Sequence, residues 1–202
     1  ANTGGSGVPV TFVNNPCPGV WGTGSEAAIY EFFTPAPAAG ALSGTSLCFA
    51  PTLPASGKIT FADDDTVEVA LSGWTFPFHG NLYTSMWVGS NGNITFGGRD
   101  TTWTPSAGAF VHRYGRIAPG WIDLHPGSAG LGLSGSVTVN NTGAGAIVSW
   151  TAVPFFASAG QANLSVYLLQ DGTWTFTYGA ITGPPPAANF LVGQTAGYPL
   201  TT

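Results

Sequence analysis

The sequence predicts an all-β protein, an antiparallel β-sandwich in the style of a jelly roll or an immunoglobulin domain, with little or no helix. Two observations predict it. Short runs of alternating apolar and polar residues recur along the chain, which is the period of a strand with one buried face. Turn dipeptides such as Asn91-Gly92 and Asp171-Gly172 separate those runs. About ten to twelve short strands with regular turns are typical of a sandwich.

The strongest strand signals lie in residues 67–96. Val67, Val69 and Leu71 alternate with polar or small residues, as expected when one face is buried. The alternation continues through large aromatic residues that place apolar area on one side, namely Trp74, Phe76 and Phe78.

Asn91-Gly92 predicts the first hairpin of the sheet. This dipeptide tolerates positive φ at both centres of a two-residue turn. With such a turn Trp87 lies opposite Phe96 and Gly89 lies opposite Ile94, so the two aromatic residues share a face.

Asp171-Gly172 predicts a second hairpin of the same kind. A two-residue turn here places Leu169 opposite Trp174 and Tyr167 opposite Phe176. Leucine and valine occupy the opposite face of the same strand. We therefore expect both faces to be apolar and this hairpin to be central or covered.

Residues 1–25 form an extended N-terminal segment of a single domain that spans residues 1–202. Its one apolar run, VPVTFV, predicts a strand that carries Val8, Val10 and Phe12. Pro9 places that strand at a sheet edge or at a strand start. Two interpretations stay open: the strand completes its own sandwich, or it is exchanged between subunits.

Residues 26–33 (EAAIYEFF) are compatible with either a helix or a strand. Ile29, Phe32 and Phe33 have the i, i+3, i+4 spacing of a helix face. Pro35 and Pro37 follow at once, and the run is short.

The composition excludes several classes of function. Charged residues make up 6% of the chain, with Lys58 as the one lysine, and the net charge is −5. Because phosphate binding needs clustered Lys and Arg, a nucleic-acid partner is not expected. No run reaches the roughly 18 apolar residues of a membrane-spanning helix. An uncharged surface suits an extracellular protein that packs against copies of itself.

The cysteines and sequons fit secretion. ANTGG suits a mature N-terminus after signal cleavage. Cys17 and Cys48 are expected to form one disulfide, worth about 3–4 kcal/mol, although two buried free thiols are the alternative. The candidate glycosylation sites share the N-x-S/T motif, and they are Asn93, Asn140 and Asn163.

Asp63, Asp64 and Asp65 form the one run of charge and are weak candidate calcium ligands. Calcium sites need six to eight oxygen ligands, usually from alternating positions. A solvated turn before the following strand explains the run as well. No metal or other cofactor is therefore expected.

Four ordered motifs resemble those of the nidogen-like (NIDO-like) β-sandwich modules of secreted and surface proteins. They lie within residues 66–198 and comprise an aromatic strand, FPFHG, an SNG hairpin, the segment RIAPGWIDL, and a DG hairpin that ends in Tyr-Gly. The resemblance implies an extracellular adhesive or matrix-type module without established catalysis.

Catalytic motifs are absent from the sequence, and we expect no enzymatic activity. His79, His112 and His125 are scattered without a spaced carboxylate or histidine partner. Trp103 and Trp21 lie in loop-like segments and can stack on sugar rings, although loop tryptophans also plug the ends of a sandwich core.

We therefore predict a secreted, non-enzymatic structural subunit that self-assembles into an extracellular filament or layer by strand pairing and apolar packing. Its expected partners are copies of itself in a homo-oligomer or polymer. The alternative is a cell-surface adhesion module that binds a glycan or a surface protein through its loops.

Overall fold

The structure, a computed structural model, describes residues 28–33, 57–127, 132–182 and 190–197. Several predicted features fall outside these ranges, so the structure does not test them. They are the N-terminal strand with Val8, Val10 and Phe12, the paired cysteines Cys17 and Cys48, and Trp21.

The described part of the chain consists of short strands and one short helix, α1 (Ala107–Val111). The strands are β1 (Ala28–Phe33), β2 (Lys58–Ile59), β3 (Thr66–Ala70), β4 (Phe76–Phe78), β5 (Asn81–Tyr83), β6 (Ser85–Gly89), β7 (Ile94–Phe96), β8 (Gly115–Trp121), β9 (Ser136–Asn141), β10 (Gly145–Pro154), β11 (Gln161–Leu169), β12 (Trp174–Tyr178) and β13 (Phe190–Thr195).

Two antiparallel sheets form the body of the fold. The first has six strands in the order β1-β13-β8-β7-β6-β3, and the second has five in the order β12-β11-β10-β9-β2. Strands β4 and β5 form a separate hairpin. The predicted all-β antiparallel sandwich is confirmed.

The two sheets pack face to face. The Trp150 indole N–H of β10 donates to the Gly89 carbonyl of β6 at 2.9 Å, which crosses from one sheet to the other. At Gly120 of β8 the sheets come so close that an added Cβ would lie 2.9 Å from a methyl group of Leu164 on β11, in the opposite sheet. A side chain there would therefore separate the sheets and open the core.

An aromatic stack fills one end of the core. Phe76 and Phe78 of the β4–β5 hairpin stack against Phe96 of β7, with ring centroids 5.3 and 5.0 Å away from it. His79 and Gly80 turn the hairpin with φ of 48° and 80°. Two positive φ angles are the signature of the turn that matches strand twist. His79 is therefore a turn residue.

The predicted register of the 67–96 hairpin is wrong by one residue. Trp87 pairs with Thr95 rather than Phe96, and the Gly89 N–H donates to the Asn93 carbonyl. The loop therefore has three residues and ends at Gly92, whose φ is 70°. The extra residue turns Trp87 to the outer face, while Phe96 stays in the core.

The predicted register of the second hairpin is also wrong by one residue. Val166 pairs with Phe176 and Leu168 pairs with Trp174, because Gly172 (φ 88°) ends another three-residue loop. Leucines, valine and both aromatic residues consequently share one buried face, and the other face is half-buried. Strand β12 lies at the end of its sheet, and the core covers one face of the hairpin rather than both.

The ambiguous segment 26–33 contains a strand, so its helical interpretation is wrong. All of β1 pairs with β13, from Ala28 opposite Thr195 to Phe33 opposite Phe190. Pairing with β13 thus outweighs the short helical spacing of apolar residues in this segment.

A small second core lies on the outer face of the six-stranded sheet. Residues 97–111 cross this face and include α1, which begins after the N-cap Ser106. Phe110 of α1 packs with Trp121 of β8 and Leu191 of β13, and all three side chains are buried. The crossing segment and the sheet thus share a core of their own.

Candidate functional site

Each of the three adjacent aspartates lies near a different side chain of the same chain. Asp65 bonds Arg99 at 2.8 Å, Asp64 accepts from the Asn91 amide at 2.9 Å, and Asp63 lies 3.9 Å from His125. Within the described ranges, no group of three or more His, Cys, Asp or Glu residues is placed to hold a metal ion. The geometry therefore lends the weak calcium candidates no support.

Asp123 adds a fourth carboxylate at this end of the sandwich. Burial, together with the nearby charges of Asp64 and Asp63, raises the pKa of Asp123 to about 6. His125 lies two residues further along, with its Nε2 directed towards Asp63. Acidification through this range removes a negative charge from the cluster.

The three histidines lie in different parts of the fold. His79 turns the β4–β5 hairpin, and its Nε2 lies 2.5 Å from Oε1 of the buried Gln194. His112 follows α1 as its C-cap. His125 follows β8 and stands near the aspartate cluster. The structure therefore does not gather the predicted histidines into one site.

The loop of residues 97–106 is anchored to the sheet by its polar groups. The Gly98 carbonyl accepts from Thr95 at 2.7 Å, and Asp100 accepts from the Thr102 N–H at 2.9 Å. The Thr102 carbonyl then accepts from the Trp121 indole N–H at 3.0 Å. These bonds fix the loop backbone without strand pairing.

Arg116 is the central anchor of this loop. Its side chain is fully buried on β8, and its guanidinium bonds the Asp100 carboxylate. The guanidinium lies over the Trp121 ring at 4.2 Å, a cation–π arrangement. Burial alone would raise the pKa of Asp100, but the Arg116 charge and the Thr102 and Arg116 hydrogen bonds lower it overall. The ion pair therefore stays charged at neutral pH.

Sequence reasoning did not single out Arg116. An arginine inside an apolar run such as RIAPGWI indicates a buried charge that is paired with a carboxylate. The reason is that a charge in a seven-residue buried strand needs a partner.

Trp103 is exposed on the anchored loop. Its side chain is 52% exposed, whereas Trp121 on the strand below it is fully buried. Arg99 and Asp100 precede Trp103 closely in the chain, but neither is free to serve a ligand there. Asp100 is instead committed to Arg116, and Arg99 bonds Asp65 while remaining largely exposed.

The sequons differ in accessibility. Asn93 is 3% exposed in the β6–β7 loop, so the folded chain leaves little room for a glycan there. Asn163 uses both ends of its amide, accepting from the Ala152 N–H and donating to the Ala180 carbonyl. Asn140 is half-buried near the end of β9.

The edge strands differ in charge. Three of the four edges of the two sheets carry a residue that is charged at neutral pH: Glu31 in β1, Lys58 in the two-residue β2, and Glu68 in β3. The fourth edge, β12 with the sequence WTFTY, carries none. Charged edge residues discourage pairing with other chains. Of the four edges, β12 alone lacks this protection.

Some backbone N–H and C=O groups of β12 face away from the neighbouring strand β11. The Leu169 N–H donates to the Thr173 carbonyl and the Gly179 N–H donates to the Asn163 carbonyl, so odd-numbered residues of β12 bond β11. Even-numbered residues consequently direct their N–H and C=O groups away from β11. Among the described strands, none pairs with β12 on that side.

Comparison with protein families agrees with the four motifs. Residues 41–190, more than half of the chain, match the family described as NIDO related. The chain belongs to the NIDO-related family. Separate comparisons with curated proteins and with solved structures gave no match.

Family membership confirms the nidogen-like resemblance and implies an extracellular module. In the parts of the chain that the structure covers, no helix is long and apolar enough to cross a membrane.

Proposed function

We propose that this NIDO-related domain is a non-enzymatic structural subunit that assembles with copies of itself outside the cell. The observation that carries the proposal is the uncharged β12 edge, which has five residues of high β-propensity and outward-facing backbone groups. An extended strand added to such an edge gains a row of backbone hydrogen bonds.

The strand that adds to β12 is the predicted N-terminal strand of a second copy, which carries Val8, Val10 and Phe12. Pairing of one segment with a different surface of the next copy is head-to-tail, and it propagates into a filament unless the rotation closes a ring. Pairing of β12 with β12 would instead stop at a dimer. The proposal therefore predicts an assembly of many copies, a filament or layer, rather than a β12–β12 dimer.

The low charge of the surface supports the same function. With 6% charged residues and a net charge of −5, copies of the chain repel one another weakly. Thr175 and Thr177 are half-buried at the edge, so a neighbouring strand would meet small hydroxyl side chains rather than ammonium groups.

The experiment is electron microscopy of the native protein together with one charged edge variant. Wild-type protein is expected to form regular fibres or layers, and Thr177→Lys is expected to remain dispersed because a lysine at a strand edge opposes pairing with another chain. Thr151→Lys is the matched control, since Thr151 is exposed on the central strand β10 of the same sheet. It is expected to assemble normally.

Two results would contradict the proposal. Dispersed wild-type monomers at high concentration would exclude self-assembly. Fibres from Thr177→Lys that match those of the wild type would show that β12 is not the contact. Circular dichroism of both lysine variants establishes that each one is folded before its assembly is compared.

A further inference from the structure

Trp103 has an unusual position for an exposed aromatic residue, since it lies between two anchored neighbours. Before it, the Thr102 carbonyl accepts from Trp121 and the Thr102 N–H donates to Asp100. After it, Pro105 is buried and Ser106 caps α1. The backbone on both sides is thus fixed, although the Trp103 side chain is 52% exposed.

Anchoring the loop in this way requires a buried charge, which is unfavourable for stability. Arg116 is fully buried and two of its guanidinium nitrogens, Nε and Nη1, lack a hydrogen-bond partner, while the third bonds Asp100. Such a group is tolerated when it fixes a particular geometry. Here it fixes the loop that presents Trp103, and a pre-ordered loop loses less entropy when a ligand binds.

The charges beside Trp103 are already neutralised within the protein. Asp100 pairs with Arg116, and Arg99 pairs with Asp65 at 2.8 Å. Thr101, Thr102 and Thr104, which flank the tryptophan in the chain, are all exposed. The Thr102 hydroxyl is committed to Asp100, so Thr101 and Thr104 offer the remaining hydroxyl groups. An indole plane beside hydroxyls, without a free charge, matches a ligand with an apolar face and a polar rim.

We propose that Trp103, with Thr101 and Thr104, forms a stacking platform for a pyranose ring of a neutral glycan. The apolar face of the sugar lies on the indole, and the ring hydroxyls bond the threonines. The neutral surroundings favour an uncharged sugar over a sialylated or sulfated one, because no unpaired cation is present on the loop. Glycan binding at this platform does not require the β12 edge, so it can be tested separately from self-assembly.

The test is binding of the full chain to an array of neutral oligosaccharides built from hexoses and N-acetylhexosamines, with sialylated and sulfated oligosaccharides on the same array. The strongest neutral ligand is then titrated by calorimetry. Trp103→Ala is expected to weaken this binding about tenfold or more, as for other central aromatic contacts. Trp103→Phe, which keeps a smaller ring, is expected to lie between wild type and Trp103→Ala.

The matched control is Leu82→Ala, because Leu82 is also a large exposed apolar residue, at 69% exposure, but it lies on β5. This variant is expected to bind the glycan as the wild type does. Since Trp103 is exposed, its replacement is expected to leave thermal unfolding nearly unchanged.

Three outcomes would overturn the proposal: no neutral oligosaccharide binds, only acidic ones bind, or the affinity is the same for wild type and Trp103→Ala. Running the array with Thr177→Lys as well separates this test from that of assembly. Neutral-glycan binding by a dispersed Thr177→Lys variant would support the platform whether or not the wild-type protein forms filaments.

Discussion

Arg116 and Asp100 form a buried ion pair that joins the outer face of the six-stranded sheet to the loop above it. The arginine side chain is fully buried and the aspartate is 13% exposed. Since both charges are largely removed from water, each depends on the other for compensation. The pair is therefore the main polar constraint on the position of the 97–106 loop.

Removing Asp100 is expected to destabilise the fold strongly. Asp100→Ala leaves the Arg116 charge buried without a counterion, which typically costs about 3–5 kcal/mol in the free energy of unfolding. Urea denaturation measures the loss. The control is Arg99→Ala, which breaks a pair whose arginine is 58% exposed and is expected to cost less than about 1 kcal/mol. Equal losses in the two variants would show that the buried pair is not the stronger constraint.

Asp123 is expected to make stability fall as the pH rises. Burial and the charges of Asp64 and Asp63 raise its pKa to about 6, above the value in an unfolded chain. The folded state therefore binds more protons between about pH 4 and 6, and its stability decreases across that window. Asp123→Asn is expected to raise the melting temperature at pH 7.5 and to change it little at pH 4.

Asp63→Asn provides the second arm of this experiment. It removes one negative charge that raises the Asp123 pKa, so the midpoint of the pH dependence is expected to move to lower pH. If the stability difference between wild type and Asp123→Asn were the same at both pH values, the carboxylate would not titrate in this range.

Glycan occupancy is expected to differ among the three sequons. Asn93 is buried and its amide donates to the Asn91 carbonyl at 3.5 Å, so we expect it to be unmodified in the folded protein. Peptide mass spectrometry of protein secreted by a eukaryotic host measures occupancy at each site. Asn140, which is half-buried, is the internal comparison. High occupancy at Asn93 would contradict the buried position of that loop.

Deletion of residues 1–15 is expected to abolish filaments and leave folded subunits. This segment contains the predicted strand with Val8, Val10 and Phe12, which we propose pairs with β12 of the next copy. Sedimentation and electron microscopy compare the truncated and full-length chains. A synthetic peptide of residues 1–15, added to full-length protein, is expected to shorten filaments because it competes for the β12 edge. Intact assembly after the deletion would exclude strand donation.

The sequence was sufficient to place both hairpins but not their registers. Asn91-Gly92 and Asp171-Gly172 do turn the chain, yet each glycine ends a three-residue loop. The difference at the first loop depends on a distant contact, because Ser90 exchanges hydrogen bonds with Asp65. Local propensity marks where a turn lies, but loop length also depends on the segment that packs against it.

The site was harder to predict than the fold. Trp103 was recognisable as an exposed candidate because its surroundings lack periodicity. The role of Arg116 was not, because its counterion lies 16 residues away and the intervening α1 had no strong helical pattern. Alternation identifies the inner face of a sheet, but it does not reveal which loop covers the outer face.

The pairing of β1 with β13 has a consequence for biosynthesis. Residues 28–33 are synthesised long before their partner strand, which comprises residues 190–195. A ribosome must therefore synthesise nearly all of the intervening chain before β1 can hydrogen-bond to the sheet. Such a distant contact is slow to close, and the growing polypeptide carries an unpaired aromatic strand meanwhile. Chaperone protection during synthesis is thus expected to matter most for this N-terminal strand.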